Sequence, residues 1–106
     1  MAFKLGNYSF VGPHTSIDSL KDRSGVYAIV CKAETEYFLL DVGESSRVRT
    51  RIENHDKKEC WIKNCKGQLT IFVHYTPFFK QQKRIFIEQE LRKLYDPTCY
   101  TDRRIW

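Results

Sequence analysis

Gly25-Val26-Tyr27-Ala28-Ile29-Val30-Cys31 and, after the polar Lys32–Glu36, Tyr37-Phe38-Leu39-Leu40-Asp41-Val42-Gly43 are the two stretches that decide the fold. Both are rich in β-branched and aromatic residues, and glycine brackets the pair. They predict strands over Val26–Cys31 and Tyr37–Val42, joined as an antiparallel hairpin. In such a hairpin the start of one strand neighbours the end of the next, so Tyr27 and Asp41 are expected at the same end of the sheet.

The rest of the chain is read outward from that hairpin. Ser45 and Ser46 offer N-caps for a helix running to about His55, with Val48 and Ile52 as its apolar stripe. Arg47, Arg51 and His55 recur every four residues and share a neighbouring face. Lys57–Lys66 reads as a charged connection anchored by Trp61 and Ile62. Gln68–Tyr75 alternates as a third strand, and Pro77 stops it. Gln81–Tyr95 reads as a helix that Asp96-Pro97 ends. Before the hairpin, residues 1–24 read as an irregular segment packed on the core, with a short strand at Asn7–Val11, a turn at Gly12-Pro13 and one helical turn at Ser16–Leu20. The expectation is an α+β fold with a three-stranded antiparallel sheet flanked by helices. The domain spans 25–100, and 101–106 is a tail.

The composition narrows the function classes. The chain has 106 residues, 42% of them hydrophobic, and a net charge of +5. That suits one domain with a core and argues against disorder. No apolar run approaches the roughly 18 residues of a membrane span, and the N-terminus shows no signal-peptide core, so a cytoplasmic protein with no membrane partner is expected. The charge is uneven: residues 1–42 carry four basic against five acidic residues, and residues 43–106 carry fourteen against eight. A basic half attracts phosphate backbones. Cys31, Cys60, Cys65 and Cys99 are expected as reduced thiols. Cys60 and Cys65 lack the C-x-x-C pairing that specifies zinc.

The hairpin and the helix after it are expected to bring Tyr27, Asp41, Arg51 and His55 to one edge of the sheet, and Glu88 reaches the same region if the last helix packs across it. These are the parts of phosphodiester hydrolysis: a carboxylate for a hard divalent cation, a guanidinium for non-bridging phosphate oxygens, and a base to orient water. Taken singly, each residue has a plainer role open to it. Asp41 can cap a turn, Arg51 can be an exposed helix charge, and Glu88 has Arg84 and Arg92 at i−4 and i+4 as salt-bridge partners.

Taken together these residues resemble the GIY-YIG nuclease superfamily from Gly25 to about Tyr100. Gly25-Val26-Tyr27 is similar to the first signature tripeptide, and Asp41-Val42-Gly43 sits in the place of the second. Arg51, eight residues after Gly43, matches the helix Arg, and His55 matches a position often filled by His or Tyr. Glu88, nine residues before Pro97, matches the metal-binding Glu. The resemblance implies an endonuclease that hydrolyses DNA with Mg²⁺ or Mn²⁺ held at Glu88. Arg51 then holds the scissile phosphate, Tyr27 or His55 activates water, and the segment at Cys99-Tyr100 tucks toward the site. Arg47, Arg51 and Arg84 are the candidate substrate contacts.

The departure is Asp41, which stands where the second signature Tyr belongs. A carboxylate with a pKa of about 4 is a poor match to water activation at neutral pH. Either Asp41 is a second metal ligand and Tyr27 or His55 the base, or the domain is an inactive nucleic-acid-binding module. The chain has no length for a separate recognition region, so a homodimer or a targeting protein is a further expectation.

Overall fold

The computed structural model describes residues 2–99. Its strands are β1 (Ala2–Leu5), β2 (Tyr8–His14), β3 (Gly25–Ala33), β4 (Glu36–Ser45) and β5 (Gln68–Tyr75). Its helices are α1 (Val48–Glu53), α2 (Lys58–Lys63) and α3 (Gln81–Tyr95). The strands form one antiparallel sheet in the order β1-β2-β5-β3-β4. Tyr100 and the 101–106 tail lie outside the described residues.

The central hairpin, β5 and α3 stand where the sequence puts them, but the sheet has five strands among the described residues, not three. The N-terminal segment supplies the other two: the short strand expected at Asn7–Val11 is the longer β2, and β1 pairs with it. Leu5 faces Tyr8 across a two-residue turn at Gly6-Asn7, and Gly6 takes a φ of +58° that other residues resist. The Gly12-Pro13 pair, expected to turn the chain, lies inside β2 where the register with β5 shifts. The helical turn near Ser16 is a short 3-10 turn at Ile17–Ser19.

β3 shows why this sheet has layers on both faces. Gly25 through Cys31 are all buried, so the strand has no solvated side. Tyr27, Ile29 and Cys31 pack with Val48, Ile52 and Trp61 from α1 and α2. Val26, Ala28 and Val30 pack with Ile87 and Leu91 of α3 and with Phe10 and Phe72. The run therefore reads as continuously apolar rather than alternating.

α1 is shorter than expected, and its cap comes from elsewhere. The Ser45 hydroxyl accepts the Arg47 N–H at 2.9 Å. The first turn is held chiefly by Asp22, whose carboxylate accepts the Thr50 N–H at 2.9 Å and the Thr50 hydroxyl at 2.8 Å. The connection at 57–66 folds into α2, with Trp61 buried and Ile62 exposed, so only Trp61 is an anchor.

The cysteines correct the expectation of free thiols. Cys31 bridges to Cys65 and Cys60 to Cys99, with Cα–Cα distances of 5.5 and 5.8 Å. A compartment rule says nothing about geometry, and the partners lie 34 and 39 residues apart, beyond the reach of any local pattern. Cys60 and Cys65 are thereby committed to sulfur partners, and no metal-holding cluster of three or more His, Cys, Asp or Glu occurs among the described residues.

Candidate active site

The β3–β4 register places Tyr27 opposite Gly43 and Ile29 opposite Asp41. Side chains at 27, 29, 41 and 43 therefore share a face of the sheet. A Cβ at Gly43 would collide with the Tyr27 hydroxyl and ring, so glycine is what lets Tyr27 lie across β4. The hydroxyl is delivered to the outer edge of β4, the last strand of the sheet. α3 covers that edge from the other side, where the Arg92 Nε donates to the Val42 carbonyl at 2.9 Å. The chain after α3 covers more of it, through the Cys99 N–H to the Leu40 carbonyl at 2.6 Å.

These elements enclose a cleft of about 300 Å³ lined by Tyr27, Asp41, Arg51, His55 and Glu88. Glu44, Asp56, Lys57, Arg92 and Cys99 complete its wall. Four carboxylates thus face three cations. The structure does not bring Arg47 or Arg84 to the cleft. Arg47 pairs with Asp22 at 3.0 Å on the far side of α1. Arg84 is buried, donating to Glu44 at 3.0 Å and to the Phe79 carbonyl at 3.1 Å.

His55 and Tyr27 form one unit. His55 Nε2 lies 2.8 Å from the Tyr27 hydroxyl, and the Lys57 N–H donates to Nδ1 at 3.0 Å. With Nδ1 accepting, the ring proton sits on Nε2 and is donated to the tyrosine oxygen. Burial, with the Arg51 charge beside it, pushes the His55 pKa down to about 4, so the ring is neutral at pH 7. Burial also raises the Tyr27 pKa well above its ordinary value, while the Arg51 guanidinium opposes that rise. Tyr27 is therefore a protonated phenol in the resting site. The histidine donor and Arg51 are both arranged to favour its phenolate.

Asp41 is 2% exposed, and each of its oxygens is engaged. One accepts the Val42 N–H at 2.9 Å and the other accepts the Trp61 indole N–H at 3.0 Å. Burial raises its pKa, against the indole hydrogen bond and the Arg92 charge. It acts in this arrangement as an anchor that ties β4 to α2.

Glu88 is the carboxylate at the cleft wall. Its oxygen accepts from Arg92 at 3.1 Å. Burial raises its pKa, Arg92 opposes the rise, and the Glu44 and Asp41 charges add to it. Glu88 is a hard oxygen ligand for a cation such as Mg²⁺, which keeps most of its shell as water and substrate oxygen. The Glu44 and Asp41 charges near it add to the negative potential that a cation would meet there. Arg51 stands at the mouth, 43% exposed and 3.2 Å from Asp56.

Arg92, Lys57 and Trp61 carry parts of the site that sequence reasoning did not assign. Arg92 was legible only as the i+4 partner of Glu88, a pairing that the structure contains. Its reach to Val42 and Asp41 depends on α3 crossing the β4 edge, which no local spacing reveals.

No protein-family model matches the chain, and no curated protein matches it. Among solved structures it is similar to the GIY-YIG N-terminal endonuclease domain of UvrC from Thermotoga maritima, in point variants bound to the catalytic divalent cation. The likeness has a TM-score of 0.55 over 80% of this chain and 90% of that one, at 17% identity for one variant and 18% for another. The fold is GIY-YIG-like.

Proposed function

We propose, with the GIY-YIG-like fold as premise, that this protein is a divalent-cation-dependent endonuclease acting on DNA phosphodiester bonds. The observation that carries the reading is the single cleft holding Tyr27, His55, Arg51 and Glu88. Glu88 would hold Mg²⁺ or Mn²⁺, which supplies charge neutralisation at the phosphate and the leaving oxygen.

The chain's own residues do the remaining work. Arg51, the exposed guanidinium at the mouth, grips a non-bridging oxygen in place of its weak bond to Asp56. In the minor fraction whose Tyr27 hydroxyl proton has left to solvent, the phenolate oxygen, held by the His55 Nε2–H and the Arg51 charge, takes a proton from the attacking water, and that proton leaves to solvent after the cut. Lys57 fixes the histidine tautomer through its N–H. Asp41, in place of a second tyrosine, is a positioning residue. It holds Trp61 against His55, whose ring centroids are 4.6 Å apart, and offsets the Arg92 charge.

A second reading, an inactive nucleic-acid-binding module, draws on one observation: Arg92 already occupies a Glu88 oxygen that a cation would need. The two readings separate on relaxation of supercoiled plasmid in Mg²⁺ or Mn²⁺. The nuclease reading expects nicking by the parent and at least about a hundredfold loss in Tyr27→Phe and Arg51→Ala. Salt-dependent DNA binding with no nicking under either ion gives the second reading instead.

A further inference from the structure

Residues 60–87 contain no aspartate or glutamate and five basic residues, Lys63, Lys66, Lys80, Lys83 and Arg84. Within that stretch the turn into α3 gathers exposed aromatic rings. Phe78 is 94% exposed, Phe86 58% and Phe79 40%. Lys83 links two of them: its ammonium lies 5.9 Å from the Phe79 ring centre and 5.4 Å from that of Phe86. Lys80 is also exposed. Three exposed rings gathered where the chain enters α3 mark a candidate contact surface.

One buried side chain ties the patch to the cleft wall. Arg84 donates to the Phe79 carbonyl at one end and to Glu44, in the cleft wall, at the other. Chain bound across the cleft can therefore run onto this corner.

We propose that Phe78, Phe79, Phe86, Lys80 and Lys83 form a stacking platform for unpaired DNA bases beside the cleft, so that the protein prefers single-stranded or branched DNA to plain duplex. This deepens the nuclease reading and rests on it for the identity of the ligand. The chemistry is that of single-strand recognition: ring faces accept any base, and ammonium groups follow the phosphates. Duplex DNA offers the lysines a backbone but hides its base faces from the phenylalanines.

The test is fluorescence anisotropy in EDTA, with a labelled 15-residue oligothymidine against a labelled hairpin duplex. The parent is compared with Phe78→Ser/Phe86→Ser and with Lys80→Gln/Lys83→Gln. Both pairs are exposed, so the variants are expected to fold, and circular dichroism confirms this. The proposal expects tighter binding of the single strand and about a tenfold or greater loss in the phenylalanine pair, with duplex affinity changed under twofold. It expects the lysine pair to reduce the single-strand salt slope by about 1.4. Equal affinity for both DNAs, or no loss in the phenylalanine pair, overturns it. So does a loss confined to anionic vesicles run alongside, which would make the corner a lipid contact. Binding is read without metal, so failure here leaves plasmid nicking to judge the nuclease reading on its own.

Discussion

Replacing Gly43 by alanine tests how the site is built. The added Cβ would meet the Tyr27 hydroxyl and ring, in a residue only 1% exposed. The ring has Ile29, Val48, Ile52, Trp61 and Val73 around it and little room to withdraw. Overpacking of this kind costs about 1–3 kcal/mol, and loss of the 2.8 Å bond to His55 adds about 1 kcal/mol. The sum, about 2–4 kcal/mol, corresponds to a Tm lowered by roughly 10–20 °C for a domain this size. Urea denaturation of Gly43→Ala, Tyr27→Phe and the double variant measures it. The tyrosine–histidine bond is broken in each single variant and can be lost only once, so the double variant should be less destabilised than the two singles together by about 1 kcal/mol or more. A Gly43→Ala protein within about 0.5 kcal/mol of the parent, or strictly additive effects, would refute the crossing of Tyr27 over β4.

Three further outcomes follow from the same geometry. His55 has a folded-state pKa near 4, below its unfolded value, so the unfolded chain binds more protons between pH 6.5 and 4. Stability should fall across that window as pH drops, by at most about 3 kcal/mol, partly offset by Asp41 and Glu88, whose raised pKa values act in the opposite sense. His55→Asn should flatten the urea-midpoint profile there, and an unchanged profile would count against a buried neutral histidine. Asp41→Ala leaves the Trp61 N–H without its acceptor at a buried site and should lower stability by about 2 kcal/mol, with a red-shifted Trp fluorescence in the folded state. Cys60→Ser/Cys99→Ser opens a loop of 39 residues' separation and should cost about 4 kcal/mol by chain entropy, read as a lowered urea midpoint relative to the parent under non-reducing conditions.

How much of this was legible in the sequence depends on the range of the forces involved. β5 and α3 are set by local periodicity and by proline stops, and their predicted bounds match the observed ones. β3 and β4 were legible for the same reason, extended at their ends by pairing. β2 was legible in part, as the short strand expected at Asn7–Val11, and β1 was not, because a four-residue strand carries little pattern and gains its stability from neighbours. α2 was hidden by its charges, since only Trp61 of its six residues is buried. Tyr27, Asp41, Arg51, His55 and Glu88, whose ordered spacing pointed to one edge of the sheet, line one cleft. Arg92 bonding Val42, Asp41 holding Trp61 and the two disulfides depend on contacts 20 to 50 residues apart. Arg84 shows the limit of local spacing: its place four residues before Glu88 suggested a salt bridge there, while the fold pairs it with Glu44.

The most direct measurement is single-turnover cleavage of a branched DNA in Mn²⁺ and Mg²⁺ by the parent and by Glu88→Gln, with circular dichroism to show that both are folded. The account predicts cleavage by the parent that EDTA abolishes, and a rate at least about a hundredfold lower in Glu88→Gln. Equal rates in the two proteins, or cleavage that persists in EDTA, would contradict it.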